Sequence, residues 1–260
     1  MTERAVSYEK KGAIAVVTIN NPPLNVMNQQ VTRELKEAFA ALKEDNETVA
    51  VILTGAGDRA FMAGADIKEF PDLIGRKGIK ANFLEGHAFL NGIDQFPKPT
   101  IAVLNGLTFG GGCELALTCD LRIAEEHAQV GLPEIKLGLF PGGGGTQRLP
   151  RTVGDAKAKE LMFTGDPIDA EEAKNIGLVS YVVPKGEGIQ KALELAGRMT
   201  RHSLPALSKI KKAVDQGLSS SLEEGLDLEA ELFEEVFQTE DIKEGVQAFI
   251  EKRKPAFSHK

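Results

Sequence analysis

The stretch GLTFGGGCELALTCDLRIAEEHAQVGLPEIKLGLFPGGGGTQRL, residues 106–149, holds two glycine clusters, 110–112 and 142–145, and two carboxylates set among apolar and glycine neighbours. Glu114 follows the first cluster directly and Glu134 lies twenty residues on, in Leu132-Pro133-Glu134-Ile135. A charge in such surroundings is costly unless it has a partner or a task. Glycines at 110–112 let the backbone approach a ligand closely, and a short helix from about Gly112 to Thr118 turns their amides outward with the positive end of its dipole. A second small-residue loop, Ala63-Gly64-Ala65-Asp66, also follows a strand-like segment. Two amides from two such loops would stabilise a carbonyl oxygen that gains negative charge. Taken singly, Glu114 reads as an acid complementing a helix dipole and Glu134 as an exposed loop acid. Taken together beside glycine amides, they fit a general acid and base that titrate as a coupled pair.

Working outward, nearly continuous apolar segments at 14–19 (IAVVTI), 49–54 (VAVILT), 100–104 (TIAVL) and 121–124 (LRIA) read as buried strands. Helical spacing recurs from Val31 through Leu42, and Ile79, Phe83, His87 and Leu90 suggest another helix. Strands alternating with helices give an α/β class. Residues 58–69 read as a loop leading into a helix, and no long-period repeat stands out. Asp169 to Glu172 has capping-box spacing for a helix that Gly177 stops, and 179–183 is a last short strand. The segment 184–188 (PKGEG) is a boundary candidate, dividing a core, 1–188, from a helical region, 189–260. Helices are expected there at about 188–201, 205–217, 221–237 and 239–252. The third is apolar over a wide face, from Leu222 to Phe237, which suggests a subunit interface.

Composition excludes several classes. The chain has 260 residues, 42% of them hydrophobic, enough for a sizeable core. A net charge of −7, no Trp and two Tyr argue against nucleic acid as the main partner. Cys113 and Cys119, six apart with no neighbouring His, do not match zinc spacing, so no metal is expected and the thiols read as buried. The first residues lack a signal-peptide h-region and no apolar run approaches about 20 residues. A soluble cytoplasmic protein is expected, with no membrane partner. The run 142–148 (GGGGTQR) lacks the ending of a phosphate-binding P-loop, and neither a dinucleotide fingerprint nor a Gly-x-Ser-x-Gly elbow is present.

The ordered motifs at 21–25 (NPPLN), 60–67 (AFMAGADI), 105–106 (NG) with 110–116 (GGGCELA), 132–134 (LPE), 141–149 (PGGGGTQRL), 163–165 (FTG), 170–173 (AEEA) and 177–179 (GLV) resemble the enoyl-CoA hydratases of the crotonase superfamily over nearly the whole chain. The resemblance implies a spiral of ββα turns followed by a C-terminal helical region that builds trimers, two of which commonly stack into a hexamer. It implies an acyl-CoA thioester as substrate and no separate cofactor, coenzyme A being part of the substrate. It places oxyanion amides at Ala65 and Gly111, the two hydratase acids at Glu114 and Glu134, and a water-holding amide at Gly142. Coenzyme A contacts fall on Ala63, Ala65, Asp66, Ile67 and Lys68, with Arg59 and Lys68 toward the phosphates, although both cations also read simply as solvated surface charge. Phe109 departs from the small residue often found before the glycines.

The expected reaction is addition of water to a trans-2-enoyl-CoA to give a 3-hydroxyacyl-CoA, a lyase step of fatty acid β-oxidation or related acyl-CoA degradation. Water would be activated with the help of Glu114, and Glu134 would deliver a proton to the α-carbon. The same fold also serves other reactions. A Δ3,Δ2-enoyl-CoA isomerase, or a hydratase for branched or aromatic chains, is the alternative. A non-catalytic scaffold for acyl-CoA or RNA is a further one, disfavoured because the pair of acids is intact and the most basic stretch, 209–212 (KIKK), is short.

Overall fold

The computed structural model describes residues 4–260. Among the described residues ten strands form two sheets. The larger has the order β1 (Val6–Lys11), β2 (Ile14–Ile19), β3 (Ala50–Gly55), β5 (Thr100–Leu104), β7 (Leu121–Glu125), β10 (Tyr181–Val183). Only the β1–β2 hairpin is antiparallel within it. The smaller sheet has the order β4 (Ala60–Ala63), β6 (Leu107–Phe109), β8 (Gln129–Gly131), β9 (Ile168–Asp169), parallel except for β8–β9.

Chain order and sheet order together reveal a spiral. Each of the pairs β3/β4, β5/β6 and β7/β8 sends its first strand to the larger sheet and its second to the smaller one. A helix or 3₁₀ segment then closes each turn: α2 (Lys80–Asp94), α3 (Gly111–Ala116) and the 3₁₀ segment Pro133–Leu137. This is the expected spiral of ββα turns. Residues 58–69 correct one reading, since they contain strand β4 and a 3₁₀ turn, Ile67–Glu69, rather than a loop alone. Strands of three or four residues are too short to show a period-2 pattern. For the same reason the repeat leaves no period in the sequence.

Strands β2, β3 and β5 of the larger sheet are buried on both faces, which is why they read as nearly unbroken apolar runs, whereas the edge strand β1 is largely exposed. Alternate residues of β3 face opposite cores. Val51 and Leu53 join Phe61, Met62 and Leu115 between the sheets, on the side of α1 (Gln29–Glu44), whose Val31, Leu35 and Leu42 are fully buried. Ala50 and Ile52 join Ala192 and Ala196 of α7 (Gly188–Met199). Each such Leu, Ile or Val contributes about 1.5–3 kcal/mol. Helices α4 (Gly145–Val153), α5 (Asp155–Thr164) and α6 (Ala170–Asn175) follow the third turn.

The helix α7, first past residue 188, lies against the sheet, so the part that stands away from the core is α8 (Leu204–Gly217), α9 (Leu222–Val236) and α10 (Glu240–Ile250). The Lys211 ammonium holds α8 to the core at 2.8 Å from Asp120, which also caps Thr100. These helices expose large apolar side chains, among them Leu222 (78%), Phe233 (63%) and Phe249 (85%). Among the described residues no helix is long and apolar enough to cross a membrane.

Candidate active site

Strands β4 and β6 run parallel with Ala63 opposite Phe109, so the loops at their C-terminal ends emerge side by side. The sequence could not show that these two loops meet; the structure brings them into contact. A Cβ placed on Gly111 would lie 3.5 Å from the Ala65 nitrogen, and one on Gly110 would lie 3.7 Å from the Gly64 Cα. The Ala65 loop is fixed from its flanks: Met27 N–H donates to the Gly64 carbonyl at 2.8 Å, and Asp66 N–H donates to the Met27 carbonyl at 2.8 Å. Among the described residues the Ala65 N–H between them has no backbone acceptor. Gly111 opens α3, so its N–H has no preceding turn to bond within the helix. Gly112 presses α3 onto β4 so closely that a Cβ there would fall 1.9 Å from the Met62 carbonyl oxygen, which excludes any other residue.

Glu114 sits one turn into α3 and is 4% exposed. It does not end at the helix dipole. Its Oε1 accepts the N–H groups of Gly143 (2.7 Å) and Gly145 (2.8 Å) from the loop between residues 141 and 145. Burial pushes its carboxyl above the usual range; the two amides, Arg148 and His87 pull it back without cancelling the rise.

Glu134 comes from the 3₁₀ segment after β8 and is half-buried. Its Oε1 would lie 3.0 Å from a Cβ on Gly110, so the carboxyl faces the first glycine cluster. Its Oε2 is buried and has no hydrogen-bond partner among the described residues. Burial pushes this carboxyl up to about 7; its own backbone opposes the rise and the Glu114 charge adds to it. The two acids therefore share a field but not an environment. One has two loop amides that favour the ionised form, and the other, with only its own backbone opposing burial, holds its proton near neutrality.

The second glycine cluster has supports that the sequence reading did not identify. The His87 Nε2 lies 2.6 Å from the Gly142 carbonyl oxygen. Because a carbonyl only accepts, Nε2 carries the proton. The Arg148 guanidinium donates from Nε to Asp94 (2.9 Å), from Nη2 to Asn91 (2.6 Å) and from Nη1 to the Gly143 carbonyl (3.3 Å). His87, Asn91 and Asp94 are spaced i, i+4, i+7, one face of α2. That polar spacing was the available signal, but helical periodicity counts His87 only as part of an apolar stripe. Gly142 itself meets His87 through its carbonyl, while the amides that reach Glu114 belong to Gly143 and Gly145.

The remaining predicted contacts line the first loop. Ala63 ends β4, and Asp66 caps the following 3₁₀ turn by accepting the Lys68 N–H at 3.1 Å. Ile67 and Lys68 are exposed beyond it. Arg59 is exposed just before β4, with its carbonyl accepting the Leu107 N–H at 3.0 Å. Cys113 and Cys119 are buried free thiols whose acidity burial suppresses strongly, so neither is an activated nucleophile. Two neighbouring amides beside one ionisable and one protonatable carboxyl can polarise a carbonyl and move protons near it at neutral pH.

Comparison with known proteins agrees with this chemistry. A family profile described as Enoyl-CoA hydratase/isomerase matches residues 9–260. The chain is 44% identical over 250 residues to the short-chain-enoyl-CoA hydratase of Clostridium acetobutylicum, covering 96% of this chain and 95% of the relative. It is 41% identical over 261 residues to the crotonyl-CoA hydratase of Syntrophomonas wolfei subsp. wolfei, covering 100% of both. The crystal structure of an enoyl-CoA hydratase from Bacillus anthracis superimposes with a TM-score of 0.92 at 38% identity, covering 98% of this chain and 100% of that one.

Proposed function

Since the chain belongs to the enoyl-CoA hydratase/isomerase family, we propose that it is an enoyl-CoA hydratase that adds water across the double bond of short trans-2-enoyl-CoA thioesters. The observation that carries this reading is the pair of unlike carboxyls, Glu114 on two amides and Glu134 raised to about 7, beside the contact of Ala65 with Gly111. An isomerase needs one acid to move one proton between carbons, whereas hydration uses two. The intact pair favours hydration.

The thioester carbonyl oxygen accepts the N–H groups of Ala65 and Gly111, which polarises the conjugated double bond and receives the charge of the enolate. Each such donor contributes about 2.7–4 kcal/mol to the transition state. Water lies between the two acids. Ionised Glu114 takes one proton as the water oxygen bonds to the β-carbon, and protonated Glu134 gives its proton to the α-carbon. The proton gained by Glu114 and the one lost by Glu134 then re-equilibrate, so the net change is one water added. The Gly142 amide is assigned to the water by resemblance, and the Gly143 and Gly145 amides keep Glu114 aimed at it.

Coenzyme A would lie along Ala63, Ala65, Asp66, Ile67 and Lys68, with Arg59 and Lys68 toward its phosphates; no separate cofactor is required. The helical region after residue 188 would build a trimer or a hexamer, carried by the apolar faces of α8 to α10, since Leu222, Phe233 and Phe249 leave too much apolar surface for an isolated chain. Incubation of the purified protein with crotonyl-CoA should abolish the absorbance of the conjugated thioester and yield the 3-hydroxy thioester. Persistence of that absorbance with every trans-2-enoyl-CoA tried would sink the reading.

A further inference from the structure

The hydrogen bonds around the second glycine cluster form a chain from helix α2 to the Glu114 carboxylate. His87 holds the Gly142 carbonyl at 2.6 Å, the next peptide N–H, that of Gly143, donates to Glu114 Oε1 at 2.7 Å, and the Gly145 N–H donates to the same oxygen at 2.8 Å. The Gly142 carbonyl and the Gly143 N–H belong to one planar peptide group, so fixing the oxygen fixes the direction of the N–H. Gly143 has no side chain to hold this peptide by packing, and none is tolerated: a Cβ there would fall 2.4 Å from Glu114 Oε2 and 3.2 Å from Leu90 Cδ1. The orientation must therefore come from outside the loop. Arg148 supplies one support, at the Gly143 carbonyl, and is itself held by Asn91 and Asp94. His87 supplies the other. Both come to the loop through α2, the helix whose Phe83 also lies within 3.8 Å of a Cβ built on Gly142.

We propose that His87 is a positioning residue for hydration, which sets the Gly142–Gly143 peptide so that its N–H presents Glu114 to the attacking water. The inference rests on the reading of Glu114 as the base. His87 holds the peptide oxygen and acts on the reaction through Glu114, without touching the substrate. A Gln side chain places its amide N–H where the imidazole Nε2–H is, an Asn side chain stops one bond short, and Leu fills the space without a donor.

The test compares H87Q, H87N and H87L with the wild-type protein by two readouts, crotonyl-CoA hydration and hydrogen exchange of the peptide covering residues 142–149. In H87L and H87N we expect kcat to fall about tenfold with KM within about twofold, and the Gly143 and Gly145 amides to exchange about tenfold faster. H87Q should recover most of both. Equal loss in H87Q and H87L would overturn the proposal, because shape rather than the donated hydrogen bond would then be what matters. A change confined to KM or to acyl preference would also overturn it, because His87 would then contact substrate. Unchanged exchange in H87L overturns it whatever the activity. Should the wild-type protein fail to hydrate any enoyl thioester, the functional reading fails, and hydrogen exchange alone still decides whether His87 orients the loop.

Discussion

Glu114 and Glu134 are the same residue type, close enough for the charge of one to act on the other, yet their settings differ at every level. Glu114 lies deep on a helix pinned to β4 by Gly112 and takes two amides on one oxygen. Glu134 stands on a five-residue 3₁₀ segment, half-buried, with one oxygen lacking any partner among the described residues. Burial raises both carboxyls; two loop amides restrain the first, and only its own backbone restrains the second. Under the proposed assignment, environment alone separates the proton acceptor from the proton donor. The proposed acceptor is held by two amides that fix its direction. The proposed donor has one oxygen without a partner among the described residues, which favours keeping its proton near neutrality.

The comparison breaks first at the acids themselves. Glu114→Gln and Glu134→Gln should each lower kcat for crotonyl-CoA about 10³-fold with little change in KM, since each removes a proton transfer rather than a binding contact. Near-wild-type turnover in Glu134→Gln, read by the same absorbance assay, would remove the donor from the scheme. The next effect concerns the hold on Glu114. Gly143→Ala forces a methyl to within 2.4 Å of Glu114 Oε2, and the loop must shift to relieve it. A loss of about 10²-fold in kcat/KM is expected, and a crystal structure of the variant should show the Gly143 amide displaced from the carboxylate.

A smaller effect follows from pH. With Glu134 titrating at about 7, kcat/KM should fall about tenfold per pH unit above that value, as the proton donor is lost, and fall again on the acid side as the Glu114 base takes up a proton. A profile level from pH 6 to 9 would contradict the assignment. The smallest effect is on stability. The folded carboxyl at about 7 lies above its ordinary 4.5, so the folded state binds more protons than the unfolded state between these values and stability falls as pH rises through that window. Glu134→Gln should therefore be more stable than the wild-type protein above pH 7, by about 1–2 kcal/mol after allowance for the solvent-facing part of the group, and indistinguishable from it below pH 4.5. Thermal melts of the two proteins at pH 8 and pH 4.5 check this.

Sequence patterns resolved these regions unequally. The buried strands at 14–19, 49–54, 100–104 and 121–124 showed in the sequence because both of their faces are covered, so nearly every residue is apolar. The helices past residue 188 showed through their apolar faces, although the capping box of Ser221 and Glu224 at the start of α9 is visible only in the structure. Strands β4, β6, β8 and β9 did not, because two to four residues carry no pattern. Without them the second sheet stays hidden, and with it the contact of Ala65 with Gly111. Residue type and apolar surroundings marked Glu114 and Glu134 as unusual. Which amides hold Glu114 depends on a loop about thirty residues away, and nothing in the sequence singled out Gly143 and Gly145 for that role. His87 was obscured for a simpler reason: at helical spacing among apolar residues, a histidine that supports a distant carbonyl looks like one more core position.

The difference in proton affinity between the two acids is best tested by an infrared titration of the protein without substrate, following the C=O stretch of protonated carboxyls, with Glu134→Gln as the reference. We expect a carboxyl band that persists at pH 6, disappears with a midpoint of about 7 and is absent from the Glu134→Gln protein. A Glu134 band that has already vanished by pH 5, with the midpoint of an ordinary glutamate, would contradict the account.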